Sequence, residues 1–159
     1  MSNNRRPAVF WISTWWPVAL ATTAILLEST ATMGANHTAG PLHRLLVWIF
    51  GPISEPTFDL LHFLFRKTGH FVGYGLVGLS WLRAGWRIWP GWKYPRCLLF
   101  GLAGAFTTAC LDEWHQSFLP NREGCFRDVL IDTVGACALA ALVWIFLKAF
   151  RPGSLQRAA

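Results

Sequence analysis

Lys67, His70 and Tyr74 stand at i, i+3 and i+7, which puts an amine, an imidazole and a phenol on one helical face. A second polar run, Asp112-Glu113-Trp114-His115-Gln116, brings two adjacent carboxylates, an imidazole and an amide. Phe118, Pro120, Asn121 and Arg122 then form a turn, followed by Arg127 and by Asp128, Asp132 and Gly135 at i, i+4 and i+7. Two chemistries are open to such a set. Paired acids beside a His and a Lys can do general acid–base work or bind a hard cation. Lys67, Arg122 and Arg127 can instead meet a phosphate or carboxylate, with the acids orienting them or receiving hydroxyls and amines. Neighbouring helical residues project about 100° apart, so Asp112, Glu113 and His115 cannot converge on a metal without a second segment such as that of Asp128. There is no H-E-x-x-H, G-x-S-x-G or P-loop, and neither a metal nor a cofactor is expected.

The elements that must carry these groups are written in the composition. The chain has 159 residues, 53% of them hydrophobic and only 14% charged, with mean hydropathy +0.36. Soluble domains carry roughly 25% charge, so this chain cannot cover a water-facing surface, and its apolar content excludes disorder. Its ten Trp fit a boundary between dry and wet surroundings. The net charge of +6 does not indicate nucleic acid, because the basic residues cap apolar segments rather than line one stripe.

Phe10–Leu27 contains no charge, and Val129–Leu147 carries one acid, Asp132. Thr68–Leu82 and Cys97–Leu111 are shorter apolar runs that borrow from their flanks to reach the roughly 20 residues a span needs. The reading is an all-α membrane protein and a single domain over residues 1–159. It has four transmembrane helices at roughly 8–28, 67–89, 96–115 and 128–149. Arg5–Arg6 before the first run also fits a secretion signal, but Pro17 and the Trp15–Trp16 pair favour an uncleaved span. With both termini cytoplasmic, nine of the Lys and Arg lie inside and five outside, as the positive-inside rule requires. All acids and all five His then fall on the outer side.

Between the first two spans, Leu42, Leu45, Leu46, Ile49 and Phe50 repeat at helical spacing. Ser54-Glu55-Pro56 starts a second helix, with Phe58, Leu61 and Phe65 on one side. Two short amphipathic helices are therefore expected in this outer loop, as a lid over the spans. Gly69-x-x-x-Gly73 is expected to be a small-residue helix contact. Cys110 and Cys125 flank the acidic motif on the oxidising side, where a disulfide can form.

Depth makes the polar residues informative. The third apolar run measures about 22 Å of helix against about 30 Å of hydrocarbon, so Asp112 and Glu113 sit at or below the membrane edge. Asp132 lies one turn into the fourth span. Ionisable groups at such depth are costly unless paired or wet, and mark functional sites by default.

The patterns Lys67-x-x-His70-Phe71-x-x-Tyr74, Asp112-Glu113-x-x-Gln116-x-Phe118-x-Pro120-x-Arg122 and Asp128-x-x-x-Asp132-x-x-Gly135 resemble the VanZ-like family of small bacterial integral membrane proteins. The resemblance covers residues 60–145, in order and spacing, and the first span more loosely. At Asp132 the family pattern usually carries Asn, so this chain adds a carboxylate. The founding member is linked to low-level teicoplanin resistance. The resemblance implies a role in the cell envelope at the cytoplasmic membrane.

The expected function is binding of an anionic envelope component at an outward-facing site. A peptidoglycan precursor, a polyprenyl phosphate or a glycopeptide would fit, besides the bilayer itself as partner. The site residues are Lys67, His70, Tyr74, Asp112, Glu113, Gln116, Arg122, Arg127, Asp128 and Asp132. The alternatives are a membrane-embedded hydrolase or transferase acting on a lipid-linked phosphate, a proton relay, or a purely structural knot of interhelical polar contacts.

Overall fold

The computed structural model describes residues 6–30, 35–119 and 125–150. Five helices occupy them: α1 (Ala8–Glu28), α2 (Ala35–Phe50), α3 (Glu55–Ile88), α4 (Tyr94–Gln116) and α5 (Phe126–Phe150). There is no strand among the described residues. Local sequence explains the boundaries. Pro56 and Pro95 occupy first-turn positions, where a missing N–H costs nothing. Gly51, with φ of 81°, terminates α2 in a left-handed conformation that side chains disfavour.

Three helices, α1, α4 and α5, are long and apolar enough to cross a membrane. The stretch expected to be a further span lies in α3, which is not among them. Its composition has a physical reason. α3 is the hub of the bundle, packing on α5, α4 and α1, while α2 touches it sparingly. A helix covered by three others needs small residues for close approach, and Gly73, Gly75, Gly78 and Ser80 dilute its apolar character. The small-residue contact therefore falls on Gly73, Gly75 and Gly78; Gly69 faces open space.

The second amphipathic helix expected at Ser54–Phe65 is not a separate element. Nothing between Thr57 and Lys67 breaks a helix, so the chain runs on through α3 for 34 residues, about 51 Å. α2 stands apart, its Trp48 and Phe50 largely exposed.

Two features set the bundle's geometry. At Gly135 of α5, a Cβ would lie 2.2 Å from the carbonyl oxygen of Phe71, so α3 and α5 meet backbone to backbone. That contact sits beside His70 and one turn from Asp132. At the opposite end, Pro17 lacks the N–H that would bond the Ser13 carbonyl. Arg83 of α3 supplies a substitute, its Nη1 donating to the Ser13 carbonyl at 3.2 Å and the Thr14 carbonyl at 3.3 Å. Arg87 adds bonds to the Thr14 and Ser13 hydroxyls at 3.0 and 2.8 Å, so a proline in one helix is matched by two arginines in its neighbour.

Candidate functional site

Polar side chains from α1, α3, α4 and α5 gather at one end of the bundle. Asp112, in the last turn of α4, is fully buried. Its Oδ2 accepts hydrogen bonds from Ser29 Oγ at 2.7 Å, Tyr74 Oη at 2.9 Å and Gln116 Nε2 at 2.9 Å. Gln116 also donates to Ser29 Oγ at 3.2 Å. One carboxylate oxygen thus ties α1, α3 and α4 together. Helical register explains it: Asp112 and Gln116 are one turn apart, and Ser29 closes α1 at its carboxyl end.

Lys67 and Asp128 form an ion pair at 2.6 Å, each side chain 30% exposed, which places them at the rim. Deeper on the same α3–α5 seam, His70 Nδ1 lies 3.7 Å from Asp132 Oδ1. That is too long for a hydrogen bond, though close enough for charge attraction if the imidazole is protonated. The His70 ring stacks on Tyr74, with centroids 6.2 Å apart. The spacing read from the sequence is what builds this wall, since Lys67, His70 and Tyr74 reach Asp128, Asp132 and Asp112 in turn.

Glu113 turns toward the start of α5. Its Oε2 accepts the Cys125 backbone N–H at 2.7 Å, holding the entry to α5. A cavity of about 280 Å³ opens there, lined among others by Cys110, Glu113, Ser117, Cys125 and Val129. The four cysteines are free thiols. A second cavity of about 190 Å³ lies between α1, α2 and α3, lined by Glu28, Thr38, Phe65, Arg66, Gly69 and His70.

The electrostatic balance of this end is uneven. Asp112, Glu113 and Asp132 are all buried. Asp112 Oδ1, Glu113 Oε1 and both oxygens of Asp132 meet no hydrogen-bond partner among the described residues. Buried polar atoms are nearly always satisfied, and each orphan costs about 1–3 kcal/mol or more. Among the described residues the arrangement therefore has carboxylate acceptors in excess. Among the described residues, no three His, Cys, Asp or Glu side chains are grouped to hold a metal ion.

Eight of the ten residues singled out from the sequence lie in this constellation. Arg127 is exposed at the start of α5 and takes no part in these bonds, and Arg122 lies outside the described residues. Ser29, Glu28, Thr38 and Arg66 were not singled out. Ser29 carried a readable signal, a hydroxyl placed just after an apolar run at the polar end. Thr38 and Arg66 carried none, since their place depends on how α2 lies over α3.

No curated protein and no solved structure matches the chain. The VanZ/LLP1 family model matches residues 10–147, taking in the whole of α2, α3 and α4, nearly all of α5 and most of α1. The motifs and the polar constellation both lie within that match, and the chain belongs to the VanZ/LLP1 family.

Proposed function

We propose that the chain is a single-domain, four-span protein of the bacterial cytoplasmic membrane, with both termini cytoplasmic and the polar end facing outward. The fourth span is the Lys67–Trp89 stretch that makes up most of α3, and α2 lies over the outer face. The site binds the head group of an anionic, lipid-linked envelope component such as a peptidoglycan precursor. By holding it, the protein alters glycopeptide susceptibility, including that to teicoplanin.

One observation carries this reading: four buried carboxylate oxygens without a hydrogen-bond partner among the described residues, near a rim that carries Lys67 and Asp128. A ligand with hydroxyls or amines would satisfy the orphaned acceptors, while its phosphate or carboxylate would draw Lys67 away from Asp128 or meet Arg127. Binding of a lipid-linked precursor to purified protein, with susceptibility measured in cells with and without the gene, tests the proposal. The reading expects binding that is lost in Glu113→Gln while that variant remains folded. No binding and unchanged susceptibility would refute it.

The His70–Asp132 juxtaposition favours a second reading, general acid–base catalysis on a lipid-linked phosphate. Release of phosphate from such a substrate by wild type but not Asp132→Asn would establish it.

A further inference from the structure

From the end of the bundle opposite the polar site, two adjoining apolar grooves run along α4. One, of about 300 Å³, is lined by Trp92, Arg96, Leu99, Phe100 and Ala103. The other, of about 580 Å³, continues past Phe100 and Ala103 between α1, α3 and α4, toward Thr107 and Leu111. Together they reach the size range of ligand pockets, roughly 300–1,000 Å³. Their floor is fixed by aromatic contacts. Phe100 meets Trp81, Trp89 and Trp92 edge to face at 5.3, 5.3 and 6.2 Å, and Trp81 meets Trp15 at 5.3 Å. Trp89 and Trp92 stack on each other at 4.2 Å.

We infer that this groove holds one anionic phospholipid, its acyl chain against Leu99, Phe100 and Ala103 and its phosphate on Arg96. Most of the lining belongs to α1 and α4, two of the helices apolar enough to span a membrane, so the surroundings are hydrocarbon and the occupant is a lipid. Charge selects which lipid. Arg96 is exposed at the groove's end, its side chain without a partner among the described residues, at the level where the Trp89–Trp92 stack marks an interface. Length agrees. One leaflet is about 15 Å deep, or roughly ten helical residues, which carries a chain from Arg96 to Phe106. The rigid floor means that little side-chain ordering opposes binding.

Native mass spectrometry of the full chain in mild detergent, mixed with dioleoylphosphatidylglycerol or dioleoylphosphatidylcholine, tests this. Wild type should retain one phosphatidylglycerol about fivefold more than phosphatidylcholine, as one basic residue near a lipid phosphate provides. Arg96→Gln should abolish the preference. Ala103→Trp, which fills the groove from an exposed position, should lower retention of both lipids. Lys148→Gln, a basic residue at the same end on α5, should leave the preference intact. The inference falls if Arg96→Gln keeps the preference, if Lys148→Gln lowers it as much, or if Ala103→Trp retains lipid like wild type.

Discussion

Asp112 owes its position to three donors that converge on one of its oxygens, while the other meets no hydrogen-bond partner among the described residues. Tyr74→Phe should therefore lower stability by about 1 kcal/mol, the usual worth of one interhelical hydrogen bond in a membrane protein. Asp112→Ala should cost more, because Ser29, Tyr74 and Gln116 would all lose their acceptor. Thermal unfolding in detergent would register both, and the reverse order would show that the bonds to Asp112 do not hold these helices together. Glu113 differs, since among the described residues one of its oxygens accepts the Cys125 N–H and the other has no partner. Glu113→Gln keeps an acceptor for that bond. It should fold like wild type, by the same measurement, while losing ligand binding; a large fall in melting temperature would assign Glu113 a structural role. The spacing of Lys67, His70 and Tyr74 made one wall of this cluster legible, because helical periodicity fixes which residues share a face. Which acid each would meet was not legible, since that depends on how α4 and α5 are rotated against α3.

The helices are held in register by contacts that are easy to disturb. Gly135 permits the approach of α5 to the Phe71 carbonyl, so Gly135→Ala must push the two helices apart. A cost of about 1–3 kcal/mol is expected, with His70 and Asp132 separated as a consequence. Unfolding and ligand binding measured together should show both losses, and a neutral substitution would mean that the backbones are not in contact. Pro17 and Arg83 form the second device. Pro17→Ala restores the N–H that bonds the Ser13 carbonyl, so Arg83→Ala should harm the wild-type background more than the Pro17→Ala background. The coupling in a double-mutant cycle should be about 0.5–1.5 kcal/mol, whereas strict additivity would dissociate the two residues. Charge-free runs made α1 and α5 plain in the sequence. The continuity of α3 was obscured because the polar Arg66–Lys67 pair reads as a loop end, although nothing there stops a helix.

At the scale of the molecule, charge is divided between two ends. One gathers Asp112, Glu113, Asp128 and Asp132 with Lys67 and His70, and the other carries Arg83 and Arg87 against α1 and Arg96 beside an aromatic floor. Low charge content and the distribution of basic residues made this division legible, because the bilayer penalises charge everywhere except at its edges. The lie of α2 was not legible, as it makes few contacts and its sequence fixes only its own amphipathic face. The account stands on the acidic end opening away from the cytoplasm. Cys125, exposed beside Glu113, reports that directly once Cys97, Cys110 and Cys137 are replaced by Ser. A membrane-impermeant maleimide should label Cys125 in right-side-out membrane vesicles and spare it in inside-out ones. Labelling confined to inside-out vesicles would contradict the account.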